Sequence, residues 1–310
     1  KHMTDPVKIK FGGYGPPTTT FSRAFKRVGD ALEAQFGDRV DVKYVWNIMD
    51  LGYKGEEILW LVEEGLLTVG YQSSSYLTDR VKELGFVDLP FLFKSNEQAR
   101  NAMAGGLGQH LSKCIEDICN YRILGYFENG FRHISNKLHP VHVPADMKGL
   151  KTRVLPSNIQ VRTFQLLGAD PLRIDLSEAI KGVVEGTLDA QENPLANTVT
   201  YGVHKFHPYH TLSNHFYISR PIFAHRDSFE AMPDDIREAF QKEISNVIPM
   251  QQEWAVAEED IAQQALLDEG CEIVELSDEE HAAFVAAVGP LLDDARDMFG
   301  NEMFELLEQA

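Results

Sequence analysis

Lys8-Ile9-Lys10-Phe11-Gly12-Gly13-Tyr14-Gly15-Pro16-Pro17, running on into Thr18-Thr19-Thr20-Phe21-Ser22-Arg23-Ala24-Phe25, sets the fold class. Residues 8–14 alternate polar and apolar side chains, the period of a strand, and the glycines and prolines that follow force a loop. Phe21, Phe25, Val28, Leu32 and Phe36 then recur at helical spacing, after capping-type threonines and before Gly37. Outward from this unit, residues 41–46 read as strand, 56–64 as helix, 66–72 as strand and 96–120 as one or two helices. Strands alternating with helices predict an α/β fold with a mainly parallel sheet covered on both faces.

The middle of the chain repeats the theme. Residues 121–136 are long for one strand, and Gly125 and Gly130 predict that the chain bends or passes between sheets there. Residues 150–155 read as strand and 159–167 as helix, Ser177 opens a short helix with Ile180, Val183 and Val184 on one side, and 209–223 is strand-like. From Pro233 the pattern is helical for about 35 residues, with Ile236, Phe240, Ile244, Val247, Trp254, Ile261 and Leu266 as an apolar stripe that Pro249 is expected to bend. Residues 271–276 form a short strand, and Ser277 with Glu280 makes a capping-box pattern for a last helical region. A helix so long, late in a chain of two α/β blocks, is placed to tie two domains together.

The 310 residues suffice for two domains, and 44% of them are hydrophobic, the fraction of an ordinary globular protein. Twenty-nine Lys and Arg against 47 Asp and Glu leave a charge of −18, which excludes a general hold on nucleic acid or an anionic membrane. No apolar run is long enough to span a bilayer, and the start lacks the basic end and apolar stretch of a secretory leader. Lys1-His2-Met3 reads as a cloning remnant. Cys114 and Cys119 point apart on a helix, and with Cys271 they read as small apolar residues rather than a disulfide framework.

Motifs for nucleophilic, phosphate or metallopeptidase chemistry are absent from the sequence. Gly12-Gly13-Tyr14-Gly15 lacks the full dinucleotide spacing and reads as a turn presenting Tyr14. His204, His207, His210 and His215 have no nearby carboxylate or cysteine to complete a zinc site, and read as surface-loop residues, with His215 a candidate for a cleft. Two arginines carry more weight. Arg132 in Asn129-Gly130-Phe131-Arg132-His133 and Arg153 in Lys151-Thr152-Arg153-Val154-Leu155-Pro156 lie in apolar strand contexts, where a guanidinium needs an acidic partner. Gln191-Glu192-Asn193-Pro194 places a polar cluster at a strand end, where α/β proteins hold ligands.

With these residues in place, the chain from Lys8 onward resembles the substrate-binding proteins of tripartite ATP-independent periplasmic (TRAP) transporters, dicarboxylate-type (DctP) family. The resemblance is carried by Asp88-Leu89-Pro90-Phe91-Leu92-Phe93, by residues 129–133, by Asp146-Met147-Lys148-Gly149-Leu150-Lys151 leading into Arg153, by residues 186–194 and by Ser213-Asn214-His215. It implies a two-lobed α/β periplasmic binding protein that closes like a flytrap, with a long hinge-spanning C-terminal helix. Lobe I is expected at 4–129 plus 217–255, and lobe II at 130–216 plus 256–310.

The resemblance further implies a non-enzymatic periplasmic protein, exported with its signal peptide removed, that needs no cofactor and delivers an organic acid to small and large membrane permease subunits. By resemblance Arg153 makes the two-pronged salt bridge to the ligand carboxylate, Asn193 helps to fix it, Arg132 is a second cation nearby, and His215 reaches toward the cleft. Glu192 orients an arginine. Tyr14, Trp46, Tyr71, Gln72 and Leu176 are candidate ligand contacts, and their bulk points to a monocarboxylate with an extended tail rather than a small C4-dicarboxylate. The competing class is a hydrolase on the same architecture, with Glu192 and His215 as acid and base.

Overall fold

The computed structural model describes residues 5–310, so Lys1-His2-Met3 lies outside the described residues. The first of two compact units comprises residues 5–73, His110–Glu128 and Arg220–Trp254, and the second Ser74–Gln109, Asn129–Ser219 and Ala255–Ala310. Among the described residues the strands are β1 (Val7–Gly12), β2 (Val40–Val45), β3 (Val69–Tyr71), β4 (Tyr121–Phe131), β5 (His133–Asn136), β6 (Lys151–Val154), β7 (Asp170–Arg173), β8 (Ala190–Asn193), β9 (Tyr209–Leu212), β10 (Tyr217–His225) and β11 (Glu272–Glu275). They form a five-stranded sheet in the order β2-β1-β3-β10-β4 and a six-stranded sheet in the order β11-β9-β5-β8-β6-β7.

Parallel pairs join β1 to β2 and β3, β6 to β7 and β8, and β9 to β11, as the strand–helix alternation predicts. Antiparallel pairs, β10 with β3 and β5 with β8 and β9, make both sheets mixed.

The deciding stretch folds as read. Helix Thr20–Phe36 starts at Thr19, whose side chain accepts from the Ser22 backbone N–H, and ends at Gly37, whose φ of 53° suits a residue without Cβ. Its apolar stripe buries Phe21, Phe25, Val28 and Leu32. In the first unit the rings of Phe11, Phe25 and Phe240 pack with centroids 4.9 to 6.0 Å apart, and Phe25 and Tyr71 meet the ring of Phe127. Each such ring withdrawn from water contributes about 1.5–3 kcal/mol.

The long stretch 121–136 divides into β4 and β5, with Gly130 at φ 99° one residue before β4 ends, and the chain passes from the first unit to the second after Glu128. Helix Asp234–Asp268 runs for 35 residues with Pro249 inside it; it belongs to the first unit through Trp254 and to the second from Ala255. Gln251 is wholly buried within it. The Gln251 carboxamide donates to the Glu128 carbonyl at 2.9 Å and accepts from the Glu128 N–H at 2.9 Å, tying the helix to the residue where the chain leaves the first unit. The capping box of Ser277 and Glu280 is formed.

Four expectations are corrected. Residues 209–223 are two strands, β9 and β10, belonging to different sheets, because Asn214 takes a left-handed φ of 46° and breaks the run. The segment 74–109, expected in the first lobe, clusters with the second unit: Ser75 hydrogen-bonds Asp88 and Gln160, and Phe86 packs edge-on to Phe299 and Phe304. Val184 is exposed, as helix Leu176–Glu185 buries Ala179, Gly182 and Val183 instead. Ile261 is also exposed, since the second half of the long helix packs Ala262 and Leu266 against Leu195 and Cys271, which rotates its buried face.

Replacing Gln251 by Leu strands two buried backbone groups of Glu128, and is expected to lower stability by about 2 kcal/mol or more. Urea unfolding of the two proteins measures the difference.

Candidate functional site

The site is built on the alternation of short, fully buried strands. In β8, Ala190 and Glu192 face one side and Gln191 and Asn193 the other. Ala190 and, on β6, Val154 join the hydrophobic core of the second unit, so Gln191, Asn193 and Arg153 emerge on the opposite face. There they meet Leu176, Ala179, Ile180 and Val183 of helix Leu176–Glu185, with Tyr201 and Val203, around a small pocket that lies within the second unit.

Arg153 is 1% exposed and supplies the charge of this pocket. Its Nε donates to the Ile174 carbonyl at 3.0 Å and its Nη2 to the Tyr76 hydroxyl at 2.9 Å, which also accepts from the Leu176 N–H at 3.1 Å. Burial pushes the Tyr76 phenol well above its ordinary value, so it stays a neutral hydroxyl and cannot neutralise the arginine. Asp175, which lies beside this tyrosine in space, caps helix Leu176–Glu185 through the Ser177 N–H. Among the described residues Arg153 makes no ion pair.

Arg132, by contrast, is fully engaged with the protein. Nε donates to Glu192 Oε2 at 2.6 Å, Nη1 to Asn129 Oδ1 at 2.7 Å, and Nη2 to the Glu192 carbonyl at 2.9 Å and Asn193 Oδ1 at 3.1 Å. The Arg132–Glu192 ion pair is sealed, at 1% and 0% side-chain exposure. Because Arg132 claims Oδ1 of Asn193, the carboxamide orientation is set by the network: Nδ2 donates one hydrogen to Gln191 Oε1 at 2.8 Å, and its second remains as a donor. Gln191 in turn donates to Ser135, its cross-strand partner in the β5–β8 register.

His215 stands behind Glu192 and is not among the residues lining the pocket. It is wholly buried, with Nδ1 2.6 Å from Ser213 Oγ and Nε2 3.3 Å from Glu192 Oε1. Burial by itself pushes the Glu192 carboxyl up, but the Arg132 guanidinium and His215 outweigh it and hold it below the usual carboxylate range. Burial lowers His215 against the pull of Glu192, which keeps its imidazole neutral. Backbone bonds from Phe91 N–H to the His215 carbonyl and from Arg132 N–H to the Phe216 carbonyl, both 2.9 Å, draw the motif segments at 88–93, 129–133 and 213–215 into this one network.

The other histidines are corrected from surface residues to buried ones: His204, His207 and His210 are all below 9% exposed, His207 bonding Ser135 and His210 the His207 carbonyl. Burial, helped by neighbouring imidazoles, pushes His133 and His207 down to about 3 and His210 to about 4.

The remaining candidates belong to the first unit. Tyr14 and Tyr71 are both nearly inaccessible, with ring centroids 5.1 Å apart, and Tyr71 also stacks on Phe21 at 5.0 Å. Tyr14 reaches this position through a bridge to Asn47 beside Gly13, where a Cβ would lie 2.7 Å from the Trp46 carbonyl and 2.8 Å from the Tyr71 hydroxyl. Trp46 is half-buried, stacked on Tyr44 at 4.3 Å. Gln72 spends its carboxamide on backbone, donating to Gly55 and accepting from Ser73. The sequence reading omitted Tyr76, Gln191 and Tyr201 from the site. Gln191 was detectable from the strand alternation beside Asn193; Tyr76, 77 residues from Arg153, left no local signal.

This arrangement, a charged and hydrogen-bonding wall facing an apolar one, is that of a small-molecule binding protein. The profile of the DctP family, described as "Bacterial extracellular solute-binding protein, family 7", matches residues 11–298, and the chain belongs to this family. It is a solute-binding protein and not an enzyme.

The C4-dicarboxylate-binding periplasmic protein DctP of Rhodobacter capsulatus is 26% identical, across 99% of this chain and 92% of its own. Among solved structures, the sugar acid binding protein DctPAm of Advenella mimigardefordensis, in complex with galactonate, superposes with a TM-score of 0.92 at 24% identity, covering 98% of this chain and 97% of that one. A TRAP periplasmic solute binding protein of Sulfurospirillum deleyianum with bound succinate gives 0.91 at 22% identity, covering 99% of both. No helix among the described residues is long and apolar enough to cross a membrane.

Removing the charge of Glu192 in Glu192→Gln leaves Arg132 without a counter-ion, and is expected to destabilise the fold by about 3 kcal/mol or more in urea unfolding. Acid is expected to act in a defined window. His133, His207 and His210 are neutral in the fold but titrate near 6.5 when unfolded, so the unfolded chain binds more protons below that pH and stability falls from about 6.5 toward 4. Asp88, raised to about 6 by burial against its hydrogen bonds to Ser157 and Ser75, works in the opposite sense between about 4 and 6 but is outnumbered. Melting temperatures between pH 7 and 4 should therefore drop, and drop less steeply in His207→Gln.

Proposed function

We propose that this protein captures an organic acid by its carboxylate on Arg153, in the periplasm, and delivers it to the small and large membrane subunits of a TRAP transporter. The observation that carries this reading is a guanidinium 1% exposed, in the wall of a pocket, with no acidic partner among the described residues. Leaving a buried charge uncompensated is costly, by several kcal/mol, and a carboxylate from outside the chain removes that penalty while matching the planar fork. The Nδ2 hydrogen of Asn193 is a second donor held at the same pocket. Each charge-assisted bond contributes about 1.5–3 kcal/mol, so the pair of them accounts for much of the roughly 8 kcal/mol of micromolar binding.

Within this reading Arg132 and His215 act through others: they hold Glu192, which holds Arg132, which orients Asn193. Leu176 with Ala179, Ile180 and Val183 forms the apolar wall beside the carbon chain of the solute. Carboxylates are also what the relatives' names report, C4-dicarboxylates for the Rhodobacter capsulatus protein and galactonate and succinate in the two structures.

The reading is tested by titration calorimetry with a panel of sugar acids and C4-dicarboxylates. Arg153→Ala is expected to weaken binding of the best ligand by about 2 kcal/mol or more, some thirtyfold, and Arg153→Lys to fall between the two, as a point charge cannot reproduce the fork. Unchanged affinity in a folded Arg153→Ala protein overturns the assignment.

A further inference from the structure

The hydrogen-bond chain that starts at the pocket wall runs past Gln191 and ends on a histidine. Gln191 Nε2 donates to Ser135 Oγ and, at 3.3 Å, to Thr198 Oγ1, and Ser135 Oγ lies 2.8 Å from Nδ1 of His207. His207 is 1% exposed and has no place in the pocket wall. All four residues belong to the second unit, as do Asn193 and Arg132 at the other end of the chain. Strand pairing holds the links in place: Ser135 of β5 stands opposite Gln191 of β8 on one side and His210 of β9 on the other. His210 Nε2 lies 2.8 Å from the His207 carbonyl, and the His207 N–H donates to the carbonyl of Val203, a pocket residue, at 3.0 Å.

The polarity of the chain is dictated from the arginine end. A guanidinium can only donate, so Asn193 presents Oδ1 to Arg132 and turns Nδ2 toward Gln191. Gln191 must then accept with Oε1, which turns its Nε2 toward Ser135. The Ser135 oxygen is thereby an acceptor, and among the described residues its hydrogen has one acceptor to go to, His207 Nδ1. Burial, with His210 and Lys137 adding to it, pushes His207 down to about 3, so the ring is neutral and one of its nitrogens carries the proton. With the proton on Nε2, a single buried group, that N–H, lacks a partner. With the proton on Nδ1, both the Ser135 hydrogen and the Nε2 lone pair lack one, which is the costlier arrangement.

We propose that His207 is a positioning residue for the solute pocket: its Nδ1 lone pair takes the Ser135 hydrogen and so fixes the orientation in which Gln191 and Asn193 line the pocket. The inference rests on the reading of that pocket as the solute site. Without an acceptor at Nδ1, the Ser135 hydroxyl turns its hydrogen toward Gln191, where only Oε1 can meet it. A Gln191 carboxamide turned round in this way sets its Nε2 against Asn193 Nδ2, two donors face to face. Asn193 cannot follow, because turning it presents Nδ2 to Arg132. The two orientations then compete, and the Asn193 donor at the pocket loses its fixed direction.

The test pairs a ligand-free readout with titration calorimetry, using galactonate and succinate as probes. In the ligand-free wild type, nitrogen NMR of the His207 ring is expected to show the proton on Nε2 and none on Nδ1; the opposite tautomer overturns the proposal. His207→Leu removes the acceptor, and His207→Asn restores one, its carbonyl oxygen standing in for Nδ1. The side-chain NH2 signals of Gln191 and Asn193 are expected to shift or double in His207→Leu and to keep their wild-type positions in His207→Asn. For a probe that binds the wild type, His207→Leu should weaken affinity about fivefold or more, the scale of one hydrogen bond, and His207→Asn no more than about twofold. A merely structural role lowers the melting temperature of both variants and leaves their affinities equal, and that result, or unchanged NH2 signals in His207→Leu, overturns the proposal. If His207→Leu does not fold, Ser135→Ala breaks the next link and carries the same expectations. Failure of both probes to bind the wild type, or binding that survives Arg153→Ala, removes the reading of the pocket instead; the tautomer and the NH2 signals then decide by themselves whether His207 orients Gln191 and Asn193.

Discussion

The Arg132–Glu192 pair is the interaction on which the second unit depends. Two opposite charges wholly removed from water are stable only when every remaining donor and lone pair is met, and here the requirement recruits residues from across the sequence. Asn129 and Asn193 take the other Arg132 donors, and His215, held by Ser213, takes the far oxygen of Glu192. The pair also explains why Glu192 and His215 do not perform acid–base chemistry. Glu192 is held ionised with its oxygens occupied, His215 is held neutral, and both are inaccessible.

A contrast between arginines organises the chemistry of the chain. Arg132 is matched within the protein, whereas Arg153 is buried and, among the described residues, makes no ion pair. The first kind of arginine is structural and stiffens its surroundings. The second kind leaves a buried positive charge unmatched, a local exception in a protein of charge −18. Long-range repulsion from the acidic exterior is screened over about 8 Å at physiological salt, while contact interactions in a pocket are screened much less.

Much of the architecture was legible from periodicity. The strand-loop-helix of residues 8–36, the division of 121–136 at its glycines, the 35-residue helix with its proline and the capping box at Ser277 all depend on neighbours within a few positions, where dihedral preference and side-chain spacing act directly. The errors fell where a distant partner decided. Ile261 and Val184 kept their helical spacing yet face solvent, because which stripe of a helix is buried depends on what packs against it. Residues 209–223 looked like one strand because alternation carries no information about the sheet to which each half is added.

The candidate site divides along the same line. By itself the sequence determined the chemistry on offer: two arginines in apolar strands, a Gln-Glu-Asn-Pro cluster at a strand end, and an ordered set of motifs that pointed to a solute-binding family. Only the tertiary structure decided which arginine was already neutralised, that Glu192 rather than a ligand claims Arg132, that Tyr76 braces Arg153, and that Tyr14 and Tyr71 enclose Arg220. The physical reason is that a residue's type fixes its charge and its donors, whereas whether those are satisfied depends on groups 60 to 200 positions away that only folding brings within 3 to 6 Å.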